Sequence, residues 1–200
     1  MIDATLRVRL LAPAERDAAD AVLVDAFAGY PVMRHVLGEP RRSELRKLIA
    51  LFTAARWLRG HPLLGAFDDD RLVGVATLTP PGEHPVPPAV EATAHATWEA
   101  LGAAARVRYE EIKAAWRRAA PGTANARWHL NMIGVVRMRR GRGFGDALLR
   151  AAIALAGAKP LELTTEDEAN LAFYRRYGFA VVGHARVGSH LQTWTLERVP

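Results

Sequence analysis

WHLNMIGVVRMRRGRGFGDALL, residues Trp128 to Leu149, reads as a strand that runs into a glycine-rich and arginine-rich turn and then a helix. Residues 128–136 are mostly apolar and end in the β-branched run Ile133, Val135, Val136, which predicts a strand buried on both faces. The character then changes abruptly. Gly141, Gly143 and Gly145 recur at every second position, and a helical run from Asp146 to Leu155 follows, closed by Gly157 and Pro160. The first N–H groups of a helix are unpaired and carry a partial positive charge, so glycines at that point let backbone donors converge on an anion. Arg137, Arg139, Arg140 and Arg142 add formal charge around the same turn.

Two familiar phosphate loops do not fit. In a G-x-G-x-x-G fingerprint the last glycine would fall on Asp146 or Leu148, and none of the three lysines, Lys47, Lys113 and Lys159, follows a glycine as a Walker A loop requires. Arg140-Gly141-Arg142-Gly143-Phe144-Gly145 resembles instead the Q/R-x-x-G-x-G/A pyrophosphate loop of the GCN5-related N-acetyltransferases (GNAT), which bind acetyl-coenzyme A. A second motif stands 25 residues after Gly145: Asn170-Leu-Ala-Phe173-Tyr174-Arg-Arg-Tyr-Gly178-Phe179 is similar to the closing N-x-x-F-Y-x-x-x-G-F of the same family. Within the family the likeness looks closest to the puromycin N-acetyltransferase branch, through Phe27 to Pro31 with Arg34-His35, Trp128, Gly134-Val135 and Thr193-Trp194. It covers most of the chain in order and is weak between residues 80 and 125. Two positions depart from that branch: Thr164 stands where it has a glutamate, and Arg137 where a proline is common before the loop.

The bulk composition fits such a protein. Two hundred residues at 50% hydrophobic content make one well-buried domain, residues 1–200, rather than two. No apolar run is long enough to span a bilayer and the first residues lack a signal-peptide core, so no membrane partner and a cytoplasmic location are expected. With no cysteine there is no disulfide and no cysteinyl intermediate, and the seven histidines show no ligand spacing, so no metal is expected. The net charge of +6 invites a nucleic-acid partner. Yet the 27 basic residues are almost all arginine in an alanine-rich chain, and no nucleic-acid motif accompanies them, so none is expected. A homodimer is compatible with the sequence, which does not choose an oligomeric state.

Along the chain, residues 5–11 read as a first strand. Ala14 to Phe27 is an amphipathic helix stopped by Gly29 and Pro31, Tyr30 to Leu37 a short turn or helix, and Ser43 to Leu58 a second amphipathic helix. In the family these helices overhang the acceptor, which makes Tyr30, Arg34 and His35 candidate acceptor contacts; simple packing of the helix junction is the competing reading. Leu63 to Phe67 and Leu72 to Leu78 form a hairpin about Asp68-Asp69-Asp70, read as a solvated turn and not a cation site. Five prolines between 80 and 88 make a linker, followed by a helical insertion around 88–120 that ends at Pro121-Gly122 and caps the substrate side, with Trp98 and Trp116 expected in its core. Leu161 to Thr164, Glu168 to Tyr177, and the pair Phe179 to Val187 and Leu191 to Leu196 complete an α/β (α+β) GNAT fold. The resemblance implies a single mixed, mostly antiparallel sheet flanked by helices, with two splayed parallel central strands.

The implied function is acetyl transfer from acetyl-coenzyme A to a primary amine of a small molecule, antibiotic-like in kind, within a ternary complex. A protein amine, or a non-catalytic coenzyme- or nucleic-acid-binding module with the same fold, is the alternative. Such a transfer needs a neutral amine, a donor to the thioester oxygen and an acid for the thiolate. By resemblance, the coenzyme contacts are Val135, Val136, Arg140, Gly141, Arg142, Gly143, Phe144, Gly145, Asp146, Asn170, Phe173 and Tyr174. The Val135 N–H is the expected donor to the thioester oxygen and Tyr174 the acid. His129, eleven residues before Arg140, is the candidate base, since imidazole serves near neutral pH. A structural histidine and a water-relayed proton remain its alternatives. Strict alternation puts His129, Asn131 and Ile133 on the same side as Val135.

Overall fold

A computed structural model describes residues 6–120, 122 and 126–200. The start of the first strand at Thr5 and the Pro121 stop lie outside them. Seven strands form one sheet in the order β1-β2-β3-β4-β5-β7-β6: β1 Arg7–Leu10, β2 Leu63–Asp68, β3 Arg71–Thr79, β4 Trp128–Val135, β5 Leu161–Thr165, β6 Ala180–Val187 and β7 Leu191–Arg198. Every neighbouring pair is antiparallel except β4 with β5. That parallel pair is short. Trp128, His129 and Leu130 register with Leu161, Glu162 and Leu163, after which the strands part and leave a wedge.

Five helices lie on one face: α1 Arg16–Phe27, α2 Pro31–Leu37, α3 Arg42–Leu58, α4 Pro88–Leu101 and α5 Ala103–Ala119. Their buried residues, among them Leu23, Leu48, Ile49, Trp98 and Ile112, join Val75, Met132, Ala185 and Leu191 of the sheet in one core. Trp98 is buried there as its helical spacing implies. The other face carries α6 Phe144–Ala156 and α7 Ala169–Arg175, packed on Leu64, Leu78, Leu130, Leu163 and Leu196. Local chemistry sets the helix ends. Pro31 and Pro88 occupy first-turn positions, where a fixed φ and a missing N–H carry no penalty, and Gly157 turns the chain out of α6 in a left-handed conformation. The acidic turn between β2 and β3 is only partly solvated: Asp69 and Asp70 are exposed, whereas Asp68 is half-buried and pairs with Arg139.

Two readings of β4 need correction. The strand is not buried on both faces, because the wedge beside it opens His129, Asn131, Ile133 and Gly134 to a cavity. Nor does it alternate strictly. The pairing with β3 jumps from Thr77 with Met132 to Leu78 with Leu130, so Asn131 is the extra residue of a β-bulge. Ile133 and Val135 therefore share the α6 face with Leu130, while Met132 packs with α1 to α5. His129, whose neighbour Glu162 alternates with the α6-facing Leu161 and Leu163, looks toward the helical insertion instead.

Candidate active site

The loop between β4 and α6 builds the first half of the site. Gly141 and Gly143 sit at φ +73° and +86°, a region costly for residues with a Cβ, and Gly143 is the N-cap of α6. No side chain caps that helix end, so its first N–H groups face a cavity of about 300 Å³ lined by Gly141, Gly143, Gly145 and Asp146 with Arg139, Arg140, Arg176, Val135 and Phe173. Gly145 has an ordinary φ; a Cβ there would stand 3.9 Å from Val135 Cγ2 and fit the fold. Of the arginines, Arg139 is held by Asp68 and Arg176 lies 3.8 Å from Asp146. Arg140 donates to the carbonyls of Val135 and Ala26, at 3.3 and 2.7 Å, and pairs with no carboxylate among the described residues.

At three positions of the expected coenzyme site the side chain or N–H is turned away from the two cavities. Arg142 is exposed and lines neither cavity, because the two left-handed glycines on either side turn it to solvent. The Phe144 ring is buried in the α6 core, so only its backbone can serve an anion. The Val136 N–H is used by Val73 at 2.8 Å, and the residue lines neither cavity. Because hydrogen bonding alternates along a strand, that bond turns the Val135 N–H toward the wedge, where β5 has moved away.

The loop cavity shares Val135, Arg140, Gly145 and Phe173 with an adjoining chamber of about 790 Å³ between β4, β5, the α1–α2 junction, α3, α5 and α7. Tyr174 is 6% exposed, lines this chamber, and its hydroxyl makes no hydrogen bond among the described residues. Burial pushes its phenol well above the ordinary value, and the charge of Glu166 adds to the shift. Asn170 and Phe173 line the chamber beside it, with Asn170 Nδ2 donating to Thr165 Oγ1 at 3.1 Å.

Tyr30 reaches the chamber and Arg34 and His35 do not. The Tyr30 hydroxyl donates to Glu166 Oε2 at 3.1 Å and accepts from the Glu166 N–H at 3.0 Å, tying the α1–α2 junction to the end of β5. In α2 the inward positions are Val32, Met33 and Val36; at 100° per residue Arg34 then points to solvent and His35 to Glu111 of α5, 3.3 Å away. The helix phase, which the sequence left open, turns both away from this chamber.

His129 lines the chamber, and its Nδ1 lies 3.2 Å from Glu162 Oε1. Arg127 joins that carboxylate at 3.1 Å and Glu197 at 3.0 Å. Burial alone would raise the Glu162 pKa, but His129 and Arg127 outweigh it and hold the group below the ordinary glutamate value of 4.5. A depressed carboxyl contributes stability above its unfolded pKa and loses it as pH falls through the folded one. Glu162→Gln is thus expected to lower the denaturation midpoint at pH 7, with the gap to the unsubstituted protein closing below about pH 4.5. A gap independent of pH would show that the charge is not what stabilises.

Residues that sequence reasoning missed complete the walls. With Leu161 and Leu163 facing α6, alternation along β5 puts Glu162, Thr164 and Glu166 on the chamber side, so carboxylates stand two residues to either side of Thr164. That signal was available in LELTTE. Glu166 is buried; desolvation raises its pKa against the pull of Trp116 Nε1 at 2.8 Å, Thr193 Oγ1 at 2.7 Å and the Tyr30 hydroxyl. Trp116, partly buried against the core as expected, is also a donor in the chamber wall. Arg56 and Phe52 of α3 and Tyr109 of α5 form the far wall. Among the described residues no group of three or more His, Asp or Glu could hold a metal, and no helix is long and apolar enough to cross a membrane.

Comparison with known proteins gives a consistent answer. The family model described as the acetyltransferase (GNAT) family matches residues 30–179. Among solved structures, the fold is similar to a protein described as histone acetyltransferase HPA2 and related acetyltransferase from Corynebacterium glutamicum, with 21% identity and a TM-score of 0.70 over 98% of this chain and 96% of that one. It is also similar to the PaiA N-acetyltransferase of Thermoplasma acidophilum in complex with coenzyme A, at 13% identity and a TM-score of 0.56 over 98% and 99% of the two chains. A third is a GNAT family acetyltransferase of Brucella melitensis in complex with acetyl-CoA, at 17% identity and a TM-score of 0.51 over 95% and 87%.

Proposed function

Since the chain belongs to the acetyltransferase (GNAT) family, we propose that it transfers an acetyl group from acetyl-coenzyme A to a primary amine of a small molecule, directly and within a ternary complex. The reading rests on one observation above all: the loop cavity at the uncapped start of α6 and the 790 Å³ chamber adjoin, with Val135, Arg140, Gly145 and Phe173 in the walls of both. A ligand with phosphates at one end and a narrow arm at the other suits that shape. The chamber's depth favours a small acceptor over a protein side chain on a flat surface.

In this reading the backbone N–H groups from Gly141 to Asp146 and the N-terminus of α6 bind the pyrophosphate, with Arg140 supplying charge. The wedge beside β4 would hold the arm, and the Val135 N–H would serve as donor to the thioester oxygen. Acetyl-coenzyme A brings the acyl group already activated as a thioester. Tyr174 holds a proton at its phenolic oxygen for the departing thiolate. Because a phenol raised by burial is a weaker acid than a free thiol at about 8.5, a full transfer ahead of bond cleavage would be uphill; the hydroxyl acts by donating as the charge on sulfur develops.

His129 and Val135 stand six residues apart on β4, about 20 Å at the rise of a strand, so the two do not touch one reacting pair. His129 is therefore no direct base for an amine at the thioester; it can receive the proton only at the end of a water relay, and a structural role or release of the proton to water alone are the other readings. Its Nδ1 faces Glu162, which leaves Nε2 for that relay.

Thiol release from acetyl-coenzyme A across a panel of small amines tests the activity, and a loop variant tests the coenzyme site. Gly143 is a poor probe, because its positive φ confounds folding with binding. Gly145→Val is better. It is expected to lower coenzyme affinity tenfold or more by calorimetry with a nearly unchanged thermal midpoint, whereas Gly145→Ala, which the motif tolerates, keeps binding. Unchanged affinity in Gly145→Val would remove the loop from the coenzyme site.

A further inference from the structure

The part of the chamber wall formed by α3, Tyr109 of α5 and Asn131 of β4 presents donors without acceptors. Arg56 of α3 donates from Nε to Asn131 Oδ1 at 3.3 Å and from Nη1 to the Phe52 carbonyl at 3.0 Å, which leaves Nη2 with no partner among the described residues. No carboxylate among those residues pairs with it, and burial depresses its pKa as expected of an uncompensated cation. The side-chain amide of Asn131 is oriented by its neighbours. Arg56 Nε can only donate, so Oδ1 faces it, and the Thr79 hydroxyl donates to the same oxygen at 2.8 Å. The amide's Nδ2, with two N–H donors, is turned away from both and has no partner among the described residues. The bulge at Asn131 is what brings this side chain to the α3 wall.

Tyr109 completes the group. It lines the chamber, stacks on Phe52 with ring centroids 5.5 Å apart, and lies close enough to feel the charge of Arg56. Its hydroxyl makes no hydrogen bond among the described residues. The carboxylates that share the chamber are already engaged, Glu162 by Arg127 and His129, and Glu166 by Trp116, Thr193 and Tyr30. Three donor groups, one of them a permanent cation, thus converge on a wall that has no protein anion to answer them.

We propose that Arg56, Asn131 and Tyr109 form an oxyanion subsite, so that the acceptor is an amine that also bears a carboxylate or a phosphate, of the amino-acid kind. The proposal rests on the reading of this chamber as the acceptor site. A guanidinium with Nη2 free, backed by an amide and a phenol, suits an oxyanion better than a neutral group.

The test uses matched pairs that differ only in the anion: phenylalanine against phenethylamine, β-alanine against ethylamine, and O-phosphoethanolamine beside them to separate phosphate from carboxylate. For each, kcat/KM is measured, and the affinity of the enzyme–coenzyme A complex for the N-acetylated product is read by calorimetry. The anionic member is expected to lead by about tenfold to a hundredfold, the range for a hydrogen bond to a charged group. In Arg56→Met that ratio collapses toward one, in Tyr109→Phe it falls part of the way, and Arg56→Lys keeps some of it. Thermal midpoints establish that each variant is folded. Equal treatment of the members of every pair, or a preference that survives Arg56→Met, overturns the proposal. So does a loss confined to coenzyme affinity, which would make the anion one of the coenzyme's own. Failure of the underlying reading looks different: no thiol release with any amine and no coenzyme binding.

Discussion

Tyr174→Phe is expected to lower turnover by about a hundredfold or more while leaving coenzyme affinity in place, a loss of about 2.7 kcal/mol in transition-state stabilisation. The substitution separates chemistry from packing. The ring sits among Phe173 and Phe179 at centroid distances of 5.2 and 5.8 Å, and phenylalanine keeps those contacts. Its hydroxyl has no hydrogen-bond partner among the described residues, so its removal leaves no buried group orphaned, and the thermal midpoint should hold. A structural tyrosine would show the reverse, a lowered midpoint with turnover intact. Single-turnover measurement of thiol release, where chemistry limits the rate, distinguishes the two; near-normal release in Tyr174→Phe would move the acid elsewhere. The variant should also leave the pH dependence at neutrality unaltered, because a phenol raised by burial stays protonated throughout that range.

Gly183→Ala is expected to cost about 3 kcal/mol of stability, the upper end for overpacking, which corresponds to a drop of about 10 °C in thermal midpoint for a chain of this size. Gly183 lies on the chamber-side face of β6 next to an irregularity in its pairing with β7, directly under the last turn of α5. A Cβ there would overlap the Ala119 carbonyl oxygen and come within 2.8 Å of its carbon and 3.2 Å of its Cα. Backbone cannot rotate out of the way as a side chain can, so either α5 lifts or β6 shifts. Because α5 carries Tyr109 and Trp116 into the chamber, the same variant should weaken acceptor binding before coenzyme binding at temperatures where it remains folded. A midpoint within 2 to 3 °C of the unsubstituted protein, about 1 kcal/mol, would mean that the α5 terminus yields freely. Gly134 makes a comparable close approach, with a Cβ position 2.6 Å from the Cβ of Ala26 in α1, an atom that no side-chain rotation can move away.

What the sequence determined by itself is local. The strand–turn–helix from 128 to 156 was legible because its signals act over a few residues: left-handed glycines at 141 and 143, an uncapped helix start, and a stop at Gly157. The hairpin, the amphipathic helices and the order of elements were legible for the same reason, since periodicity belongs to neighbours in the chain. Tyr174 and the loop were singled out by motifs at fixed spacing. What failed depended on partners far away. The bulge at Asn131 exists because β4 pairs with β3, some fifty residues earlier, and it overrode an alternation that reads correctly in isolation. Arg34 and His35 were turned away from the chamber only when the packing of Val32, Met33 and Val36 set the phase of α2. Arg56 and Asn131 stand 75 positions apart and meet through a hydrogen bond that no spacing rule announces. Likewise Glu166 becomes a buried chamber residue because Tyr30, Trp116 and Thr193 arrive from three other elements. Backbone conformation and amphipathic period are written in adjacent residues. The polar walls of the chamber were decided by the tertiary structure, because hydrogen-bond satisfaction is a property of what folding brings together.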